Sequence, residues 1–300
     1  MRELVQDMQT VLRRIEQQEM LWDERCFVAR VHALDGLRRQ VLERIENVLY
    51  VQGYHQELAS LYHRAEQLCE RLAAVNTALF RRLRGQLRVL LTVTTLPELC
   101  DRYVGQAASV PAREGSEEDY LDVLVNGVLG IEQAPEETLP LQSGMIGYVP
   151  TPVRVIFALL GHLSLRADDV FYDVGAGLGR VALLVGLLTV AQARGIEVEP
   201  AYYEAAQQRA RSLHLERVTF INCDARQADY ADGTVFFLYT PCTGRMFQEV
   251  LDRLHAEAYV RPISIAAYGL CSAQVTQQSW LRLTMRQEFD HDTLAVCRSH

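Results

Sequence analysis

Residues 171–184, FYDVGAGLGRVALL, run from an apolar strand pattern through three glycines at every second position into an apolar helical run. Few folds accept that order. Asp173 stands two residues before Gly175, and Gly175, Gly177 and Gly179 leave a turn with almost no side-chain bulk. Glycine reaches positive φ without penalty and lets a ligand come close to the backbone. A helix starting at the end of such a turn aims its free N–H groups and the positive end of its dipole at whatever sits there. The turn suits a dinucleotide pyrophosphate, a lone phosphate, or a ligand with no phosphate at all.

The flanking sequence sets the fold class. Strand patterns fall at 170–174, 195–198, 218–222, 234–240, 262–268, 281–287 and 293–298, with helical patterns near 152–163, 179–192, 200–214 and 244–257. Strands apolar on both faces, alternating with helices, predict a parallel sheet covered on both sides. The last two strand patterns have no helix between them, so they predict a hairpin and an antiparallel edge. The expectation is an α/β protein: a seven-stranded, doubly wound, Rossmann-like sheet joined to an all-α N-terminal part.

Residues 1–104 read as helix with hardly a turn signal. Leu61, Ala65, Leu68, Leu72, Val75 and Leu79 recur at steps of four and three, a heptad seam. A helix from Tyr54 to Leu91 would be about 57 Å long. Leu4, Met8, Val11 and Ile15 repeat the pattern, as do Leu37, Val41, Ile45 and Val48, and Gly53–Tyr54 reads as a break. Such helices suit a self-packed bundle, and they equally suit a homodimerisation arm or a substrate lid. Residues 105–118, GQAASVPAREGSEE, lose the periodicity and read as a linker. A short helix is expected from Asp119 to Leu129, then a loop to Gly147. The expected domains are a helical bundle over 1–104, a linker with connecting helix over 105–147, and a ligand-binding domain over 148–300.

Composition narrows the partners. The formal charge is −8. Residues 1–115 carry 16 Arg against 15 acids and residues 116–300 carry 14 Arg against 23 acids, so the acidity lies in the second half. A duplex-binding face needs a positive excess, which argues against nucleic acid. The chain has no Lys, which removes Schiff-base chemistry and a Walker-type phosphate loop. Its 7 Cys include no CxxC pair and read as thiols in a reducing compartment rather than a metal site. MRELVQDMQT is polar and carries acids, so it reads as neither a secretion signal nor a transit peptide. The most apolar run, Val181 to Ala193, is too short to span a bilayer. A cytosolic protein without a membrane partner is expected.

The turn itself chooses among ligands. A dinucleotide fingerprint is GxGxxG, whereas this turn is GxGxG with Arg180 where the third Gly would fall. A pyrophosphate is repelled by Asp173; a ligand carrying an ammonium is attracted. S-adenosylmethionine has that ammonium, a carboxylate for the helix N-terminus, and ribose hydroxyls. Gly175, Ala176 and Gly177 then form the bend that holds it. Glu197 follows by about twenty residues at the end of the second strand, placed to accept both ribose hydroxyls. That acid suits NAD as well. Glu199 reads as a solvated strand-end acid, and Pro200 opens the next helix. In INCDAR, Asp224 can accept from an adenine amino group while the Ala225 N–H donates to a ring nitrogen; Asp224 can equally satisfy its own turn.

These stations together resemble the class I S-adenosylmethionine-dependent methyltransferases over roughly residues 145–300. GYVPTPVRVIFALLGHLSLRADDVFYDVGAGLGRVALL is more specific. It resembles the core of the Rossmann-type, non-SET histone lysine methyltransferases and their bacterial relatives. The resemblance implies the strand order 3-2-1-4-5-7-6 with the seventh strand antiparallel. It also implies that Tyr148 and Thr151 lie in a loop closing over the methionine end of the cofactor. Thr151 followed by Pro152 also reads as an N-cap and N1 pair. After the fourth strand this chain carries Leu-Tyr-Thr-Pro-Cys-Thr-Gly over 238–244, unlike the Asn-containing segments of the family, so the acceptor does not carry over. Tyr148, Tyr239 and Thr240 are the candidates for lining the acceptor pocket, Tyr239 also flanking the cofactor. No general base is assigned, since His162, His214 and His255 fall on or beside helices away from the expected crevice, and Cys242 lacks an evident partner base. The leading expectation is methyl transfer to a small-molecule or peptide acceptor. The alternatives are an NAD(P)-dependent oxidoreductase and a non-catalytic cofactor-binding scaffold assembled through the helices.

Overall fold

The computed structural model describes residues 2–53, 55–89, 95–110, 118–289 and 292–300. Tyr54, Leu91 and residues 111–117 of the 105–118 linker lie outside these residues. The chain divides into two compact units: Met1–Gln86 with Thr95–Val128, and Leu87–Thr94 with Leu129–His300.

The first unit is helical. Helix α1 spans Arg2–Glu16; two 3₁₀ turns, Glu19–Trp22 and Glu24–Cys26, lead into α2, Phe27–Leu37. A π-helical turn, Arg38–Leu42, joins α2 directly to α3, Glu43–Gln52. Gly53, at φ +80°, ends α3 where the sequence places the break. Helix α4, Gln56–Val89, is followed by α5, Thr95–Tyr103, and α6, Tyr120–Leu129. Met8, Ile15, Leu37, Val41, Ile45, Leu61, Ala65, Leu68 and Leu72 share one core, while Leu4, Val11 and Val48 are only half-buried against it and Val5 and Leu12 take the buried places on α1.

The seam departs from the sequence reading one turn later. Val75 is only half-buried and Asn76 takes the inward position. The cause is Arg30 on α2, which is fully buried. Its Nε donates to Asn76 Oδ1 at 2.6 Å, and its remaining N–H groups reach the carbonyls of Leu21, Asp23 and Glu24. A buried charge needs such partners or it destabilises the fold. Asn76→Ala should therefore lower stability by about 1.5–3 kcal/mol, the value of a hydrogen bond to a charged group. Urea unfolding checks this, and an unmoved midpoint would mean that the carbonyls alone satisfy Arg30.

The second unit is built on one sheet. Its strands are β1 Val170–Val174, β2 Gln192–Glu197, β3 Val218–Asn222, β4 Val235–Tyr239, β5 Ser264–Tyr268, β6 Leu281–Phe289 and β7 Asp292–Ser299. The order is β3-β2-β1-β4-β5-β7-β6, as the resemblance implied. The first five strands pair in parallel, while β7 is antiparallel to both β5 and β6. All five residues of β1 are buried, as a strand covered on both faces requires. The helices are α7 Val153–His162, α8 Arg180–Leu188, α9 Pro200–Ser212, α10 Gly244–Val260 and α11 Cys271–Thr276.

Several boundaries differ from the sequence reading; helix α10, for one, runs to Val260 rather than ending near 257. Helix α8 stops at Leu188, not near 192, because the Thr189 hydroxyl turns back to the Val185 carbonyl and accepts from the Ala191 N–H. That turn lets β2 begin at Gln192, three residues early. Helix α7 is capped by Pro152, without a side-chain bond, and starts at Val153; Thr151 is not its N-cap. Helix α11 was not expected. Among the described residues, no helix is long and apolar enough to cross a membrane.

Candidate functional site

The candidate site is built where β1, β2, β3 and β4 end. The turn after β1 is fixed to its neighbour first: the N–H groups of Gly175 and Ala176 both donate to the Ile196 carbonyl of β2, at 2.9 and 2.8 Å. Gly175, at φ +83°, passes so close to Pro241 that a Cβ there would lie 2.8 Å from the proline ring. Gly177, at φ +52°, lies under the ring of Tyr148, 2.3 Å from where a Cβ would stand. The glycines thus admit two of the protein's own side chains, from the loop before α7 and the loop after β4.

Three acids surround the turn, in three different states. Asp173 is buried on β1, and burial pushes its carboxyl up to about 7, against a backbone hydrogen bond from Ala182 in the first turn of α8. Its Oδ2 is buried with no hydrogen-bond partner. Glu197, also buried, accepts from the Gly177 N–H at 2.6 Å through Oε2 and from the Glu199 N–H at 2.8 Å through Oε1. Burial raises its pKa, with these N–H groups opposing. Glu199 is not solvated, contrary to the sequence reading. It is a buried N-cap of α9 that accepts from Thr138 Oγ1 at 2.6 Å, Leu139 N–H at 2.9 Å and Ala201 N–H at 3.1 Å. Burial pushes its pKa up, but these hydrogen bonds together outweigh it and hold the carboxyl at about 2.

At the end of β3, the Asp224 carboxylate is engaged by Arg226, whose backbone N–H and guanidinium both donate to it. That ion pair lowers the Asp224 pKa. The turn role is thus occupied here, while the Ala225 carbonyl accepts from the Tyr230 hydroxyl at 2.8 Å. Arg180, which replaces the third fingerprint Gly, is buried and donates to the Thr151 carbonyl at 2.9 Å. Thr151 is therefore brought to the turn through its backbone.

On the other side of β1, the Tyr239 ring packs at a 46° tilt against Tyr268 with centroids 4.8 Å apart. Thr240 sits at φ +38°, a left-handed conformation that a β-branched residue rarely adopts. Three bonds hold it: the Cys271 N–H donates to Thr240 Oγ1 and the Thr240 N–H donates to Cys271 Sγ, both at 3.2 Å, and the Thr240 hydroxyl donates to the Tyr268 carbonyl at 3.4 Å. Thr240 is buried, so its hydroxyl faces this clasp.

Sequence reading missed the segment that ties these loops together. Glu137 accepts from the Tyr202 hydroxyl, and Thr138 and Leu139 meet Glu199. The Gly144 carbonyl accepts from the Thr243 N–H at 2.8 Å, and Met145 bridges Cys242. Tyr148 then lies against Tyr202, centroids 5.3 Å apart, and over Gly177. Residues 137–148 thus cross from α9 to the loop after β4 and back to the glycine turn. Their only sequence signal was an aperiodic loop ahead of Tyr148.

The sheet order and the glycine turn together define the fold of the class I S-adenosylmethionine-dependent methyltransferases. No family model matches the chain. A stretch of 98 residues is 29% identical to the histone-lysine N-methyltransferase, H3 lysine-79 specific, of Dictyostelium discoideum, covering 28% of this chain and 5% of that protein. Another of 96 residues is 26% identical to a protein-lysine N-methyltransferase of Saccharolobus islandicus, covering 31% of this chain and 60% of that one. The chain spans less than two thirds of either relative. Among solved structures, an RNA methyltransferase from Salinibacter ruber in complex with S-adenosyl-L-homocysteine is 23% identical, with a TM-score of 0.40 over 49% of this chain and 92% of that one. A SAM-dependent methyltransferase from Aquifex aeolicus is 15% identical, with a TM-score of 0.40 over 50% of this chain and 94% of that one.

Proposed function

We propose that the sheet unit binds S-adenosylmethionine at the carboxyl ends of β1, β2 and β3 and transfers its methyl group to a small-molecule or peptide acceptor. The observation that carries the reading is the pair of acids around one bend: Asp173 keeps a buried oxygen without a partner, and Glu197 closes on the bend through Gly177. An ammonium satisfies the first acid. Ribose hydroxyls suit the second, which has acceptor capacity left after two N–H bonds. A dinucleotide also offers ribose hydroxyls to the second, but its pyrophosphate leaves the first without a cation, so Asp173 is the acid that discriminates. The sheet order also differs from the dinucleotide order 3-2-1-4-5-6, since β7 enters between β5 and β6.

The bound cofactor supplies a sulfonium methyl already activated for in-line displacement. What remains for the chain is alignment, which can lower a barrier by roughly 7–11 kcal/mol. Gly175, Ala176 and Gly177 shape the bend for the methionine end, with Tyr148 and Thr151 over it. Asp224 and Ala225 flank the adenine end, although Asp224 must share its carboxylate with Arg226. Tyr239 and Thr240 stand on the acceptor side, where Tyr239 serves as a wall. A peptide acceptor draws support from the two curated relatives, both named as lysine methyltransferases of proteins.

Calorimetric titration of the purified chain with S-adenosylmethionine and with NAD tests the cofactor. Binding of the first and not of the second is expected; the reverse overturns the reading. Label from methyl-labelled cofactor should then appear in a cell extract. Binding with no transfer to any fraction would favour the non-catalytic scaffold.

A further inference from the structure

We infer that Glu199 is a positioning residue: its carboxylate latches residues 137–148 across the glycine bend and so slows release of the cofactor. The inference rests on the S-adenosylmethionine reading above. It starts from a mismatch between residue and task. Helix N-caps favour Ser, Thr, Asp and Asn, whose short side chains reach the N–H groups one turn ahead. Glu199 is longer, and only one of its three bonds, to Ala201, serves its own helix. The other two go to Thr138 and Leu139, about sixty residues upstream.

The crossing segment needs such an anchor. From Ile131 to Pro152 the chain has no helix or strand, only turns and the Met145–Cys242 bridge. Segments with few backbone partners open at low free-energy cost. Here the anchors are spaced along the path: the Tyr202 hydroxyl holds Glu137, Glu199 holds residues 138–139, the loop after β4 holds 144–145, and Tyr148 covers Gly177. Releasing the Glu199 anchor frees the run between Glu137 and Gly144. The Glu199 N–H meanwhile donates to Glu197 Oε1, which keeps the latch in register with the acid assigned to the ribose.

Thr138 separates the latch from the helix cap, because its hydroxyl bonds Glu199 while the cap bond is made by the Ala201 N–H. Thr138 is exposed, so replacing it leaves the core of the unit intact. Thr138→Val should speed dissociation of S-adenosylmethionine about three- to tenfold, less than a buried charge-assisted bond is worth, because Thr138 is exposed to water and the Leu139 bond remains. KM for the cofactor should rise in proportion while kcat and the melting temperature stay unchanged. Thr138→Ser should restore the parental off-rate. Glu199→Gln should release cofactor faster still, with some loss of stability because it also caps α9. Stopped-flow release and hydrogen exchange over residues 139–148 read the two halves separately. Unchanged release and unchanged exchange in Thr138→Val, with the parent binding cofactor normally, overturn the latch. Faster exchange with unchanged release overturns its role toward the cofactor. A parent chain that binds no S-adenosylmethionine overturns the methyltransferase reading and the cofactor role together, while the exchange comparison still decides whether the latch exists.

Discussion

Glu197→Ala is expected to weaken S-adenosylmethionine binding by about 30- to 150-fold. The carboxylate already accepts from Gly177 and Glu199 at 2.6 and 2.8 Å, which fixes its plane at the end of β2. Each carboxylate oxygen accepts about two hydrogen bonds, so one position on each remains for a ribose hydroxyl. Losing both hydroxyl bonds removes about 2–3 kcal/mol, the free-energy equivalent of that affinity range. Alanine also leaves two backbone N–H groups without their acceptor, so the melting temperature should fall. Glu197→Gln separates the two effects. Its amide oxygen can still accept one N–H and hold the fold, yet it cannot accept from both hydroxyls. A Gln variant that melts with the parent but binds weakly locates the loss in recognition. An unchanged dissociation constant in either variant takes Glu197 out of the site.

The contrast between Glu197 and Glu199 shows what a sequence carries and what it withholds. The turn around Gly175–Gly179 was legible because its physics is local. Glycines, a preceding acid and a following apolar helix occupy consecutive residues, and only a strand–turn–helix satisfies them. The antiparallel edge was legible for the same reason, since two strand patterns with no room for a helix must form a hairpin. The state of Glu199 was not legible, because its partners Thr138 and Leu139 lie in a loop without period or motif. Asn76 was missed likewise: the heptad pattern nominates Val75, and only the buried Arg30 of another helix explains the slip. Helix α11 escaped because six residues are too few to show a helical period. Asp224 stands between these cases. Its alternative as a turn residue was readable, and Arg226 two positions on in INCDAR was the signal that its carboxylate has company.

Asp173→Asn should make the free protein more stable at pH 8 and the complex weaker. Burial holds the Asp173 carboxyl at about 7, against an ordinary value of 3.8. Below pH 4 the folded and unfolded chains both carry the proton. As pH rises the unfolded chain releases it first, while the folded chain keeps it until about pH 7. Through that window the folded state binds more protons, so stability falls with rising pH. At about 1.4 kcal/mol per pH unit, the loss from this residue accumulates to about 4 kcal/mol. Asparagine has the same shape and no charge to desolvate, so the two proteins should melt alike near pH 4 and diverge toward pH 8. The cofactor reverses the balance. An ammonium beside Oδ2 gives the ionised carboxylate its missing partner, so binding below pH 7 should release a proton, visible as a buffer-dependent heat. Asparagine cannot supply that charge, and affinity should drop at least tenfold, about the worth of one charge-assisted bond. Stability curves from pH 4 to 8 and titrations in two buffers test both halves. An Asn variant that binds as tightly as the parent would reduce Asp173 to a partner for the Ala182 N–H. The bend would then lose the feature that distinguishes an amino-acid tail from a phosphate.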